Sequence, residues 1–366
     1  MTAQHLPELW DKVHDKHPAE TPIFYRADGT ALTYKQMHAY IHCLAAFWMS
    51  IEVRSGENIV IWSSNGPYYA SVELGAMMAG AVVHTPPNSL RTDELQDVIE
   101  RIKPSSLYLD SYQFYRDHRD WLDSVARNCR IVCRTERQDN PVETDKITTF
   151  DGAVDRGKNY WRENRDAFQT RILSVRSADR AYGIYRLDGT FAGYATHGKL
   201  MELMEKFSHK GTALSAGPPS SLLERLGVLH NALRHGTKVY FHSIGDLTRD
   251  VVKYKPDFVS VTPQQLDNWR ISALQNFKLK NRISGKFADK SIVRAMEMKV
   301  ASGKVKPLTK FKHRLAHSYI FRPIRGKYFP GVKGIMVEGY SPESGEFYSA
   351  IELPLWVPAF DSALMN

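Results

Sequence analysis

Apolar positions recur at helical spacing from Met37 through Ile41 and Leu44 to Phe47, and Thr33 stands just ahead as a residue able to cap the first turn. Residues 32–48 are therefore predicted to be a helix. The period then changes. Asn58 to Ser63 is a short β-branched run, Pro67 to Gly80 has helical length with small residues along it, and Ala81 to His84 is a second short apolar run. Thr92 to Lys103 places Leu95, Val98, Ile99 and Ile102 on one helical face, and Ser106 to Leu109 follows as a strand. Such alternation predicts a parallel sheet with crossover helices. Residues 134–170 are polar, with few apolar positions in register, and read as a boundary or a long surface excursion. Beyond them the alternation resumes, with strands over 182–185, 237–242 and 258–262 and helices over 199–207 and 245–254. No repeat of fixed period and no low-complexity tract interrupts it.

Length and composition narrow this picture. A chain of 366 residues predicts two domains or lobes, and 43% hydrophobic against 24% charged residues allows a core large enough to offset the entropy of ordering it, which excludes wholesale disorder. The net charge of +9 favours an anionic partner, and its placement matters more than its size. Between residues 278 and 327 there are 15 Lys and Arg against Asp289 and Glu297, so the rest of the chain is slightly acidic. Within that stretch Ile292, Val293, Met296 and Val300 give residues 289–300 an apolar stripe, the pattern of a basic amphipathic helix. Lys290, Arg294, Lys299, Lys304, Lys306, Lys310, Lys312 and Arg314 are the candidates for contact with an anionic lipid surface. Nucleic acid is the rival partner, disfavoured because aromatic residues are sparse there and no binding module is present, and a solvated basic face is the plain alternative.

Cys43, Cys129 and Cys133 form no disulfide framework and lack the paired spacing of a structural zinc site, which suits a reducing compartment. The N-terminus carries no leader pattern, and the apolar stretch Gly75 to Val83 is too short to cross a bilayer, so the expectation is a cytoplasmic protein with peripheral membrane contact as an extension. His38 and His42 stand four apart, a spacing that suits two metal ligands, but no acidic residue of a His-Glu-x-x-His pattern lies between them and a pair without metal is expected. Cys129 and Cys133 could share a helix face. No Gly-x-Ser-x-Gly elbow is present, so hydrolase chemistry has no support.

The order of elements then matches something known. Leu32-Thr33-Tyr34 before a helix, Gly56 to Val60, Asn65, the helix ending in Gly80-Ala81-Val82-Val83, Pro87 and Glu94-Leu95 resemble the first lobe of the AMP-forming acyl-CoA synthetases, in the superfamily that also holds firefly luciferase and peptide-synthetase adenylation domains. Thr196-His197 with Leu200 is similar to the family's threonine-histidine pair after its phosphate loop. Pro256 to Pro263 looks like its proline-bounded strand, and Leu315 to Tyr348, with Ser341-Pro342-Glu343, is similar to its long-chain fatty-acid members. The resemblance implies a fold of two doubly wound α/β lobes of an adenylating-enzyme N-terminal domain. The lobes are expected over 1–170 and 171–366, the second including the basic segment 278–327, and the C-terminal lid domain is expected to be absent.

The motifs that carry chemistry in the family are altered. Its phosphate loop has the form Thr-Ser-Gly-Thr-Thr-Gly-x-Pro-Lys-Gly, a turn whose N–H groups and hydroxyls wrap ATP phosphates. Here Tyr185 to Ala195 is three residues shorter, has no lysine counterpart, and puts Asp188 where phosphates would lie. Arg186, Gly189, Thr190, Gly193, Thr196 and His197 are the residual phosphate-loop candidates, with a plain βα connection as the bland alternative. The family's aromatic-Gly-x-Thr-Glu motif, which stacks adenine and holds Mg2+, falls on Ala359 to Ala363, where only Phe360 and Asp361 could serve. The glycine-rich turn before Ser-Pro-Glu is Ile335 to Tyr340 with one glycine, and the family's Pro-Leu-x-His corresponds to Pro218-Pro219-Ser220-Ser221. What the resemblance implies is a catalytically impaired, long-chain acyl-CoA-synthetase-like protein that binds an acyl chain, an anionic lipid surface or a partner. The alternative is a divergent adenylating ligase that borrows a lid from a partner synthetase chain, sets Arg186 and Thr190 on phosphate, and needs ATP and Mg2+. No resident metal is expected, and the third reading is a nucleic-acid or scaffold protein working through residues 278–327.

Overall fold

The computed structural model describes residues 3–358 apart from 27, 126–128, 137–138, 140, 187, 243–244 and 282–316. The described chain divides into two compact units, residues 3–209 and 218–236 in the first and residues 210–217 and 237–358 in the second.

In the first unit the order is α1 (Leu6–Val13), β1 (Pro22–Tyr25), β2 (Ala31–Thr33), α2 (Tyr34–Ser50), β3 (Asn58–Trp62), α3 (Pro67–Met78), β4 (Val82–His84), α4 (Thr92–Ile102) and β5 (Ser106–Leu109). There follow α5 (Tyr112–Asp117), α6 (Arg119–Val125), β6 (Arg130–Cys133), β7 (Ile147–Thr149), α7 (Phe150–Glu163), α8 (Arg165–Ser174), β8 (Arg180–Tyr185), β9 (Phe191–Thr196) and α9 (His197–Met204). Thr33 caps α2 as expected. Its hydroxyl accepts from the Gln36 N–H, while the Gln36 side chain accepts from the Thr33 N–H, a capping box that satisfies two otherwise orphaned donors. The sheet runs β7-β6-β5-β3-β4-β8-β9 and is parallel except for the antiparallel β8–β9 pair at its edge. Ile59, Val60, Ile61 and Leu107 to Leu109 are buried without alternation, as a parallel sheet covered on both faces requires.

Three sequence expectations change. The segment 134–170 is not a surface excursion: it supplies β7, α7 and the start of α8. Helix α7 faces inward through Phe150, Ala153 and Gly157, and a Cβ on Gly157 would lie 1.7 Å from the Cys43 carbonyl oxygen of α2. Small contact residues let two helix backbones meet closely, and they leave almost no hydrophobic period in the sequence. The lobe boundary also moves. Strand β8 pairs with β4, so the first unit runs past residue 170 to 209, because alternation reveals elements but not which strands become neighbours. Cys133 lies on β6 with Cys129 just before it, so the two do not share a helix face; burial pushes each thiol up to about 12.

The second unit carries β10 (Thr212–Ser215), β11 (Lys238–Phe241), β12 (Phe258–Ser260), β13 (Gly334–Met336) and β14 (Leu355–Trp356), ordered β14-β13-β12-β10-β11 and all parallel. Helices over 247–254, 263–281, 322–328 and 342–350 cover it, with Leu266, Trp269, Ile324, Phe329, Phe347 and Tyr348 in its core. The eight basic lipid candidates between Lys290 and Arg314, together with Phe360 and Asp361, lie outside the described residues. No helix among the described residues is long and apolar enough to cross a membrane.

Candidate functional site

Strand β8 connects two regions of different character. At its C-terminal end the chain turns through Arg186 to Thr190 into β9. The Arg186 N–H donates to the Thr190 carbonyl at 2.9 Å, the Gly189 N–H to the Arg186 carbonyl at 2.9 Å, and the Thr190 N–H to the Asp188 carboxylate at 2.9 Å. Gly189 takes φ +84°, the left-handed position a short hairpin loop assigns to glycine. These hydrogen bonds hold the Asp188 carboxyl below its ordinary pKa. The same turn occurs earlier in the unit. Arg26-Ala27-Asp28-Gly29-Thr30 joins β1 to β2 with Arg26 N–H to Thr30 O at 2.7 Å, Gly29 N–H to Arg26 O at 3.0 Å, Thr30 N–H to Asp28 at 2.8 Å, and Gly29 at φ +87°. The stretch that offered the phosphate-loop candidates is thus an Arg-x-Asp-Gly-Thr hairpin turn in which the Arg186, Gly189 and Thr190 amides bond within the turn itself.

The remaining candidates at that end serve the backbone. Gly193 lies in β9 opposite Ile184. Thr196 caps α9, accepting from the Lys199 N–H at 3.3 Å. His197 is 1% exposed, neither ring nitrogen has a hydrogen-bond partner among the described residues, and burial lowers its pKa to about 4. The structure therefore brings Arg186, Gly189 and Thr190 together, while Thr196 and His197 act as a helix cap and a core side chain.

In the second unit, Ser341 of the Ser-Pro-Glu stretch caps the helix over 342–350 and donates to Asp267 at 2.7 Å. Tyr340 covers Gly345 closely enough that a Cβ there would meet its ring at 2.7 Å.

The N-terminal half of β8 points elsewhere. Tyr182 is fully buried and its hydroxyl donates to Glu73 of α3, which is 1% exposed. The same carboxylate accepts from Tyr69 and from Arg225 Nε at 3.1 Å, and His230 Nε2 lies 2.7 Å from the Tyr182 oxygen. The Arg225 guanidinium lies 3.3 Å from the centre of the Tyr182 ring, a cation–π contact inside the core. Burial raises the Glu73 pKa, but Arg225 and the hydrogen bonds from His230 and Tyr182 outweigh it, and the net shift is downward. Burial also lowers His230 and pushes Tyr182 well above its usual range. The cluster is therefore a carboxylate–guanidinium pair with neutral His and Tyr donors. Arg225 Nη2 and His230 Nδ1 have no partner among the described residues, which leaves one donor and one acceptor unspent.

Local geometry explains how Arg225 and His230 reach one carboxylate. Residues five apart on an α-helix lie about 140° apart around the axis. Residues 223–230 form a π-helix, where bonds span five residues and the Asn231 N–H reaches Leu226 O, so these two side chains share a face. This segment follows Pro218 to Ser221, and the Tyr69 hydroxyl oxygen also lies 3.1 Å from the Pro219 carbonyl oxygen. None of these five residues stood out as a candidate from sequence. One signal was present: Glu73 is the only charged residue between Asn58 and Leu90.

Comparison with known proteins fits this geometry. Residues 10–185 match the family described as AMP-binding enzyme. Over that stretch, just under half of its length, the chain is similar to AMP-binding enzymes. Its fold is that of the adenylating enzymes: a benzoate CoA ligase from Burkholderia xenovorans LB400 superposes with a TM-score of 0.63 at 12% identity, over 99% of this chain and 62% of the ligase. The A domain of the carboxylic acid reductase from Segniliparus rugosus, solved with AMP and a co-purified carboxylic acid, gives 0.62 at 14% identity over 97% of this chain and 60% of that one. A curated relative is the 3-[(3aS,4S,7aS)-7a-methyl-1,5-dioxo-octahydro-1H-inden-4-yl]propanoyl:CoA ligase of Rhodococcus jostii (strain RHA1), 33% identical over 106 residues, 26% of this chain and 20% of the ligase. The chain thus spans about three-fifths of the two solved proteins, and its match covers a fifth of the curated one.

Proposed function

We propose that this chain is an acyl-CoA-ligase-like protein that does not form acyl-adenylate by itself and acts in fatty-acid metabolism by binding at an anionic lipid surface. The observation that carries the first half is the turn at 186–190. A phosphate cradle needs backbone N–H groups free to point at the anion, whereas three here close a hairpin and an ionised Asp188 stands among them. The residues present do not fit a triphosphate, and no step through ATP or Mg2+ is derived. The second half rests on the charge concentrated between residues 278 and 327, where each basic group near an anionic membrane contributes about 1 kcal/mol.

The purified full chain is expected to show neither saturable ATP binding in calorimetry nor fatty-acid-dependent pyrophosphate exchange. ATP affinity in the micromolar range, or exchange above background, sinks the proposal. Flotation with phosphatidylserine vesicles is expected to retain the protein and to lose it as salt rises, while phosphatidylcholine vesicles do not hold it. Equal retention on both vesicles, or preferential capture by RNA, excludes the lipid role.

A further inference from the structure

Away from the β8 region, α1 and α2 bring together a carboxylate and two imidazoles that no part of the proposed function uses. One ligand atom from each of Asp11, His38 and His42 lies within 4.8 Å of the others. The sequence showed the two histidines but no acidic partner between them; the fold supplies one from a different helix. His42 is 3% exposed, and its Nδ1 lies 2.9 Å from the His38 carbonyl oxygen, so Nδ1 carries a hydrogen and donates it. Its other ring nitrogen, Nε2, faces Asp11 Oδ1 at 3.0 Å. The ring centres of His38 and His42 are 3.8 Å apart with 36° between planes, so the two imidazoles lie side by side next to the carboxylate.

We infer that Asp11, His38 and His42 form a binding site for a borderline divalent cation of the zinc class. Two imidazoles and one carboxylate are a donor set that suits such ions, and tetrahedral ligands at about 2.0–2.1 Å stand roughly 3.3 Å from one another, close to the 3.0 Å between His42 Nε2 and Asp11 Oδ1 and inside the 4.8 Å that bounds the trio. The Nδ1–H bond to the His38 carbonyl is the kind of outer contact that fixes the orientation of a ligating histidine. Trp161 and Phe168 have ring centres 5.6 and 5.4 Å from His42 and form an apolar wall on one side. The Asp11 side chain remains 26% exposed, which gives an ion a path in and a water a fourth position. A cation held there ties α1 to α2, so binding adds to the stability of the first unit.

The test uses the full chain without an affinity tag, titrated with Zn2+ by calorimetry and with Co2+ by visible absorption. The wild-type protein is expected to bind one equivalent of Zn2+ with micromolar or tighter affinity, to show intense Co2+ d–d bands, and to melt at higher temperature with Zn2+. Asp11→Asn and His38→Gln are each expected to weaken Zn2+ binding by at least roughly tenfold and to remove the Co2+ bands, while metal-free melting stays near wild type. Wild-type protein with no saturable equivalent overturns the inference. Undiminished binding in Asp11→Asn also overturns it, by moving the ion to another of the 14 histidines. If His38→Gln does not fold, the comparison with Asp11→Asn decides alone.

Discussion

The two ends of strand β8 are polar for opposite reasons. The turn at 186–190 is an exposed loop whose donors and acceptors satisfy one another within five residues. The cluster around Glu73 is a charged network in the core, assembled from α3, β8 and the 223–230 helix and almost free of solvent. A local turn can be read and exchanged as a unit, as its near-copy at 26–30 demonstrates. A buried ion pair is strong only as a whole, because each charge without its partner bears the full cost of desolvation.

The largest expected effect separates these two kinds of polarity. Arg225→Met leaves Glu73 buried without its counter-charge and is expected to cost about 3–5 kcal/mol in denaturant unfolding, whereas Glu73→Leu with Arg225→Met recovers most of that loss. If the double variant is no more stable than the single one, the cluster is not a mutually dependent pair. Next comes His197, the neutral core imidazole beyond the turn. Its folded-state pKa of about 4 lies below the ordinary 6.5, so the unfolded chain takes up the proton first as pH falls. Its contribution is complete above about pH 6.5 and drains away towards pH 4, a loss of roughly 3 kcal/mol. His197→Phe is expected to flatten that acid limb in melting curves collected across pH, and an unchanged slope counts against a core role.

Smaller effects test whether the two turns are equivalent. Gly29→Ala and Gly189→Ala each force an L residue into left-handed backbone, at about 1–2 kcal/mol. The loss at 189 is expected to be the larger, since its Cβ would also meet Leu90 at 2.5 Å while nothing lies within 4 Å of Gly29. Asp28→Ala and Asp188→Ala are expected to lower the melting temperature slightly and equally, and Asp188→Ala to leave ATP binding unchanged. A gain of ATP affinity on removing Asp188 breaks the equivalence.

Most of the architecture is readable from the sequence because its elements announce themselves locally. Thr33 and Gln36 cap α2, and the β-branched runs over 58–62 and 106–109 are the strands they resemble. Helix α7 escapes because its inward face is built on Ala153 and Gly157, which pack well without looking hydrophobic. At the turn, the residue identities Arg-x-Asp-Gly-Thr are legible in the sequence, and their recurrence at 26–30 marks both as hairpin turns. The Glu73 cluster is unreadable for a different cause: its members come from residues 69 to 230, and the geometry that unites Arg225 with His230 depends on a helix winding that no side-chain period reveals.

That winding makes the core charge sensitive to chain length as well as to residue identity. At its present length, a return to α-helical winding would set Arg225 and His230 about 140° apart and take one of them off the carboxylate. Deleting one residue between them would leave them four apart, about 40° around an ordinary α-helix, so both would stay on the shared face. Length and winding compensate here: five residues need the wider turn, and four do not.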